Sequence, residues 1–315
     1  MTRAGYAVAL LLALTALVPL RAATAFDYRL RPTTVAPGVH VFEGVTEHFT
    51  RANGGNILNT GYLETEAGTV VIDTGPSRRY GEQMRAAIRA QTGNQAIAQV
   101  FITHAHPDHF LGNQAFADLP IAALPATRQY IQSAGESLSA NLYRLVGGWM
   151  EGTESMTPTQ EAKAGEVKIG GRRLRLIALS GHTDADLAVY DVQTRTLFAG
   201  DLVFSQRAAT TPNADIAHWL AALDTLATLD FQTLVPGHGP VVQGTAAITQ
   251  TRAYLVWLRK TLGDAAARGL DMNEAMHLKA PAEFAKLAVF GEEYQRSVVH
   301  LYPAFEANTL TDAKP

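Results

Sequence analysis

Thr103-His104-Ala105-His106-Pro107-Asp108-His109, entered from the apolar run Val100-Phe101-Ile102, is the stretch on which the fold reading turns. A β-branched and aromatic run that stops at a polar cluster marks the end of a strand. Two histidines separated by one residue of extended chain project to the same side. Pro107 suits the first turn of a helix, where its missing N–H costs nothing. That turn then directs Asp108 and His109 into the same space. Three imidazoles and one carboxylate so close together are a dense supply of metal ligands. The plain alternative is a solvated His-rich turn.

Working outward, three more polar groups follow apolar runs. Ser180-Gly181-His182 comes after residues 174–179, Gly200-Asp201 after Leu197-Phe198-Ala199, and Pro236-Gly237-His238 after Leu234-Val235. Each His or Asp is preceded by Gly, which permits a sharp turn and a close backbone approach. Any one of these alone is an ordinary turn. Taken in order, they predict four strand ends delivering His or Asp to one edge of a sheet.

The rest of the chain alternates short apolar runs with helical spacing. Strands are expected at 39–42, 55–58, 69–73, 99–103, 121–124, 167–169, 173–179, 187–191, 196–199 and 233–235. Helices are expected at 80–92, from 107 to 116, at 127–145, at 217–229 with a Leu220, Leu223, Leu226 stripe, and then at 245–262, 273–278 and 281–305. Gly147-Gly148 breaks the third of these, and 151–160 reads as a polar loop. Strands and helices mixed in this order predict sheets covered by helices. No linker separates the C-terminal helices from the body, so residues 26–315 are expected to form one domain, with 245–315 a packed helical tail.

The chain has 315 residues, a net charge of −3 and 47% hydrophobic residues, enough for a large core. Basic residues do not cluster, which argues against nucleic acid as a partner. There is no cysteine, so a thiolate metal site is excluded. Arg3, the apolar run 4–20 and Ala23-Thr24-Ala25 have the three parts of a signal peptide, with cleavage expected after Ala25. The expectation is a periplasmic or secreted protein with no membrane span after cleavage. An uncleaved anchor is the alternative.

His-x-His-x-Asp-His, then Gly-His, Gly-Asp and a second Gly-His, resembles the signature of the metallo-β-lactamase fold hydrolases. Val71-Ile72-Asp73-Thr74-Gly75 resembles that superfamily's first motif. The likeness runs over roughly 39–240 and implies an α/β fold, a four-layer αββα sandwich with the site at one edge. It implies that His104, His106 and His182 hold one zinc ion, that Asp108, His109 and His238 hold a second, and that Asp201 bridges them. Asp73 then supports a ligand histidine and fixes its tautomer. The same donors also suit iron or manganese. Two such ions about 3.5–4 Å apart share a water and lower its pKa, so the implied nucleophile is a metal-bridging hydroxide. Asp108 and Asp201 are the carboxylates placed at that chemistry, with Asp108 suited to orienting the water.

β-Lactamases with a cysteine ligand are excluded by composition, and those that use histidines throughout lack an aspartate at the position of Asp201. The ligand set is more similar to that of glyoxalase II and related hydrolases. One departure is Thr183-Asp184-Ala185-Asp186 after His182, where many relatives have Pro-Gly. Arg51-Ala52-Asn53-Gly54-Gly55-Asn56 and a helical tail over 252–302 resemble the SoxH-related quinoprotein relay system zinc metallohydrolases. That implies an exported protein with a periplasmic redox partner.

His48, Phe49 and Arg51, in a Gly-rich loop, are candidates for substrate contact, with Arg51 suited to an anion. Trp149 is a candidate for another wall. A solvated loop and simple packing are the respective alternatives. His40, His218, His277 and His300 show no ligand spacing. The function expected is hydrolysis of an ester, thioester, amide-like or phosphoester bond of a small molecule. Alternatives are a periplasmic metallo-β-lactamase, a non-catalytic metal-binding accessory protein, and a di-iron oxidoreductase.

Overall fold

The computed structural model describes Met1 and residues 26–312, so the expected leader and its cleavage site lie outside the described residues. Seven strands form the first sheet in sequence order: β1 (Thr33–Ala36), β2 (Val39–Phe42), β3 (Thr60–Thr65), β4 (Gly68–Ile72), β5 (Ile97–Phe101), β6 (Ile121–Ala123) and β7 (Gln160–Glu161). Pairing is antiparallel from β1 to β4 and parallel from β4 to β7. The parallel crossovers carry α1 (Arg78–Thr92), α2 (Pro107–Phe110) with a 3₁₀ segment Leu111–Phe116, and α3 (Pro125–Val146).

The second sheet holds β8 (Gly165–Ile169), β9 (Arg172–Leu179), β10 (Asp186–Asp191), β11 (Thr196–Phe204), β12 (Thr233–His238) and β13 (Val242–Gln243), again in sequence order. Only β11 and β12 pair in parallel, joined through α4 (Ile216–Ala227). α5 (Ala246–Ala267), α6 (Met272–Met276), α7 (Ala282–Ala285) and α8 (Phe290–Asp312) complete the described chain. Among the described residues no helix is long and apolar enough to cross a membrane.

Period-two burial makes the layers. In β4, Val70 and Ile72 enter one apolar cluster and Val71 another, because successive strand side chains face opposite ways. In β11, Phe198 faces one cluster while Leu197 and Ala199 face a second. Three clusters result. One lies between the sheets, with Val41, Leu63, Leu176 and Val189. One joins the first sheet to α1 and α3 through Met84, Ile88 and Ile131. One joins the second sheet to α4, α5 and α8 through Trp219, Leu223, Leu255 and Val298. Helix, sheet, sheet and helix are therefore four layers, as the resemblance to the metallo-β-lactamase fold implied.

Arg172 ties the two sheets together. It is buried, makes a two-pronged pair with Asp191 (3.0 and 2.7 Å), and donates to Glu64 O (2.9 Å), Gly38 O (3.3 Å) and Pro37 O (3.3 Å).

Three expectations need correction. Residues 55–58 are not a strand: Gly55 has φ +87°, and the segment turns toward the metal-ligand cluster. The expected helix 281–305 is broken, because Val289 has φ +55° and Ala288 pairs with the chain at Gln206 and Ala208. β11 also runs past the expected end at 199, to Phe204. The strand Thr60–Thr65 was not foreseen: it is buried on both faces, so it lacks polar alternation.

Candidate metal centre

The ends of β5, β9 and β12 and the middle of β11 bring seven side chains together. His104, His106, His182 and Asp201 form one group, and Asp108, His109 and His238 a second; the ligand-type atoms of each group lie within 4.8 Å of one another. Asp201 does not follow a strand end, as the sequence suggested. It lies inside β11, where Gly200 (φ +52°) interrupts the register with β12 and turns the carboxylate toward the ligands. Gly237 makes this possible from the neighbouring strand, since a Cβ there would collide with Asp201 Oδ1.

Outer hydrogen bonds set the imidazoles. His109 Nδ1 donates to Asp73 Oδ2 (2.7 Å) and His238 Nδ1 donates to Ile57 O (2.7 Å). His104 Nδ1 is 3.0 Å from Thr103 Oγ1, whose own proton goes to Asp73 Oδ2 (2.8 Å). His106 uses the other nitrogen, with Nε2 3.0 Å from Asn213 Oδ1. In each case the bonded nitrogen carries the proton and the inner nitrogen offers a lone pair; that of His106, Nδ1, also lies 2.9 Å from His182 Nε2. His182 is the exception, because its Nδ1 has no partner among the described residues. Asp73 also accepts from Thr103 N (2.8 Å), and it holds φ +58°, a conformation that Asp tolerates better than most residues.

Several inward-facing atoms of the centre are unpaired. His104 Nε2, His109 Nε2 and Asp201 Oδ1 are buried and have no hydrogen-bond partner among the described residues, an unusual concentration of unsatisfied groups. His109 Nε2 and Asp201 Oδ1 are only 3.1 Å apart without forming a hydrogen bond. Nitrogen and oxygen donors aimed inward and left unpaired fit a dication. Burial, then the neighbouring His182, pushes His106 down to about 4. Burial and the nearby His109 push His104 well below its ordinary value. Burial alone would lower His109, but Asp201, Asp73 and Asp108 outweigh it and hold it well above. Burial likewise opposes the Asp201 charge, and His238, His109, His104 and His182 overcome it, keeping the carboxyl well below the usual range.

The unusual Thr183-Asp184-Ala185-Asp186 stretch has a local role. Asp186 accepts from His182 N (3.1 Å), Thr183 N (3.1 Å) and Thr183 Oγ1 (2.8 Å), and so fixes the turn that carries His182. Its burial raises the carboxyl to about 6.

Residues 53–238, more than half the chain, match the sequence family described as the Metallo-beta-lactamase superfamily. The chain belongs to that superfamily. Its members are hydrolases, typically zinc-dependent. A relative, the Beta-lactamase-like protein 2 homolog of Caenorhabditis elegans, is 26% identical over 186 residues, 58% of this chain and 56% of that protein. The Atrochrysone carboxyl ACP thioesterase of Aspergillus fumigatus is 26% identical over 287 residues, covering 82% of each. The metallo-beta-lactamase from Pontibacter korlensis superposes with a TM-score of 0.58 at 25% identity, over 72% of this chain and 99% of that one. The chain spans about half the length of the curated relatives it matches first.

In this superfamily member a cleft of about 590 Å³ opens onto His106, Asp108, Asp201 and His238. His48 and Phe49 line it, whereas Arg51 and Trp149 do not. Trp149 is turned inward, packs edge-on to Phe26 and tilted against Tyr28, and donates to Arg51 O (2.9 Å), so it packs the loop instead of forming a wall. The sequence reading missed Arg207, Asn213, Arg296 and the leucines of α3, all of which line the cleft. Arg207 follows the Gly200-Asp201 motif by six residues without belonging to it, and Arg296 is remote from every motif, so only the fold brings the two to the cleft. His218, His277 and His300 are exposed, and His40 is buried between Thr34 and Glu64.

Proposed function

We infer that this protein is an exported hydrolase that uses two zinc ions to cleave an ester or thioester of a small molecule, with amide-like and phosphoester bonds as further candidates. The observation that carries the reading is the pair of ligand groups opening onto one cleft, with unpaired inward donors. His104, His106 and His182 would hold one ion, Asp108, His109 and His238 the other, and Asp201 both. When bound, the ions supply Lewis acidity toward the scissile bond and make water acidic enough to react near neutral pH.

The chain's own groups do the rest. Asp108 lines the cleft with Oδ2 3.4 Å from His238 Nε2. It is placed to orient the attacking water and to carry its proton to the leaving oxygen or sulfur. The water oxygen joins the acyl carbon as the ester or thioester bond breaks. Asp73, Asn213 and the Ile57 carbonyl hold the imidazoles in the tautomers this needs.

The leader motif supports export. Arg51-Ala52-Asn53-Gly54-Gly55-Asn56 and the tail support a place near the SoxH-related quinoprotein relay system metallohydrolases, and with it a periplasmic redox partner. The Pontibacter likeness, over nearly all of that chain, favours β-lactam hydrolysis as a second reading. One panel separates these. Zinc-loaded protein and a chelator-treated control are assayed on chromogenic thioesters, aryl esters, phosphodiesters and a cephalosporin. Chelator-sensitive turnover of a thioester or ester is expected. Turnover of the cephalosporin alone would promote the second reading. Silence across the panel with metal bound would favour an accessory metal-binding role.

A further inference from the structure

One wall of the cleft is organised by a residue that does not line it. Glu293 of α8 is fully buried and accepts from Thr210 Oγ1 (2.9 Å), Arg296 Nη1 (3.1 Å) and Arg207 Nη2 (3.3 Å), with His48 Nδ1 at 3.5 Å. All four partners line the cleft. The pairing of Ala288 with Gln206 and Ala208 anchors the start of α8 against the same loop. The helical tail is thus part of the site.

Only one carboxylate pairs directly with the two arginines. Two guanidiniums, charged at every relevant pH, face the buried Glu293, while Asp201 and Asp108, which also act on Arg207 from further off, belong to the candidate metal-ligand groups. Burial pulls His48 below its ordinary value, against the opposing pull of Glu293. Glu292, at the rim, is 68% exposed and screened by solvent. Arg207 is also poorly satisfied. It is 2% exposed, its Nε has no partner among the described residues, and its remaining bonds are long: 3.4 Å to Ala208 O, 3.2 Å to Thr210 Oγ1 and 3.5 Å to Glu47 O. Buried charged donors ordinarily make short, strong bonds. Arg207 lies 5.7 Å over the Phe204 ring, and Phe204 stacks on His238 at 5.3 Å. One aromatic ring therefore separates the surplus charge from a ligand of the candidate metal centre.

Another part of the lining is apolar. Leu138, Leu142 and Leu145 sit at helical spacing on α3 and line the cleft together with Phe49. Leu145 remains 49% exposed, an unfavourable place for a leucine unless something covers it.

We propose that the substrate is an anionic amphiphile, whose apolar body lies along Leu138, Leu142 and Leu145 and whose carboxylate-like group is received by Arg207 and Arg296. This names the substrate class for the hydrolase reading above and rests on it. The test reads binding instead of turnover, so the two can fail separately. Octanoate and octanamide, equal in length and different in charge, are titrated calorimetrically into the zinc-loaded protein. Octanoate binds at least about tenfold more tightly, as a charge-assisted pair implies. Arg296→Gln, at a partly exposed side chain, removes most of that preference. Leu145→Asn weakens both ligands together and leaves their ratio in place. A preference that survives Arg296→Gln would mean that the metal centre alone holds the carboxylate, and would overturn the proposal. Equal affinity for the two ligands, or binding of neither, would overturn it as well.

Discussion

Asp73→Asn is a narrow perturbation of the candidate metal centre. Asn tolerates positive φ as Asp does, so the backbone at φ +58° need not move. The side chain is nearly isosteric, but one oxygen becomes an NH₂ group. The carboxylate now accepts three hydrogen bonds, from Thr103 N, Thr103 Oγ1 and His109 Nδ1, at 2.8, 2.8 and 2.7 Å. If the amide nitrogen takes the Oδ1 place it faces the Thr103 N–H. If it takes the Oδ2 place it faces the His109 N–H. Either way a buried donor meets a donor, which costs about 1–3 kcal/mol. His109 can escape by moving its proton to Nε2, the nitrogen that faces Asp201 and Asp108. That blocks the ligand atom. The expected result is a loss of about 10–100-fold in zinc affinity for the Asp108, His109, His238 group, with the other group less affected. Elemental analysis of protein equilibrated against a graded chelator series, beside urea denaturation of the metal-free form, reads both effects. Wild-type affinity at both groups with unchanged stability would refute the assigned tautomer role of Asp73.

Gly237→Ala places a methyl against Asp201 Oδ1 and close to the Gly200 backbone. It should lower bound zinc and turnover together, and destabilise the protein by about 1–3 kcal/mol; normal zinc content would show that β11 yields easily there. Arg172→Leu leaves Asp191 buried without its cation and cuts the link between the sheets. A loss of about 3–5 kcal/mol in urea denaturation is expected, and an unmoved midpoint would mean that Thr194, which also bonds Asp191, suffices alone.

The ligand-type residues were legible in the sequence because they are local. His104 to His109 sit on one strand end and one helical turn, and their spacing alone aims them. Gly181, Gly200 and Gly237 marked the other three deliveries, and the order of these motifs, through its resemblance to the metallo-β-lactamase fold, implied the layers; of the strands β4, β9 and β11 only β9 alternates in burial, while β4 and β11 are buried on both faces. The same locality explains the misses. An apolar run that stops at Ala199 reads as a strand ending before Asp201, yet pairing with β12 continues the strand through Phe204. The break at 286–289 depends on backbone pairing with Gln206 and Ala208, a contact that helical spacing in 281–305 cannot register. Arg207, Glu293 and Arg296 look in sequence like ordinary charged residues. What decides their place is the packing of α8 against the loop after β11, which buries Glu293 and turns its partners to the cleft. The sequence by itself determined the mixed order of strands and helices and the chemistry of the candidate metal centre, because apolar runs and motif spacing are properties of neighbouring residues. Only the tertiary structure decided the wall facing the substrate, because that wall is assembled from segments more than eighty residues apart.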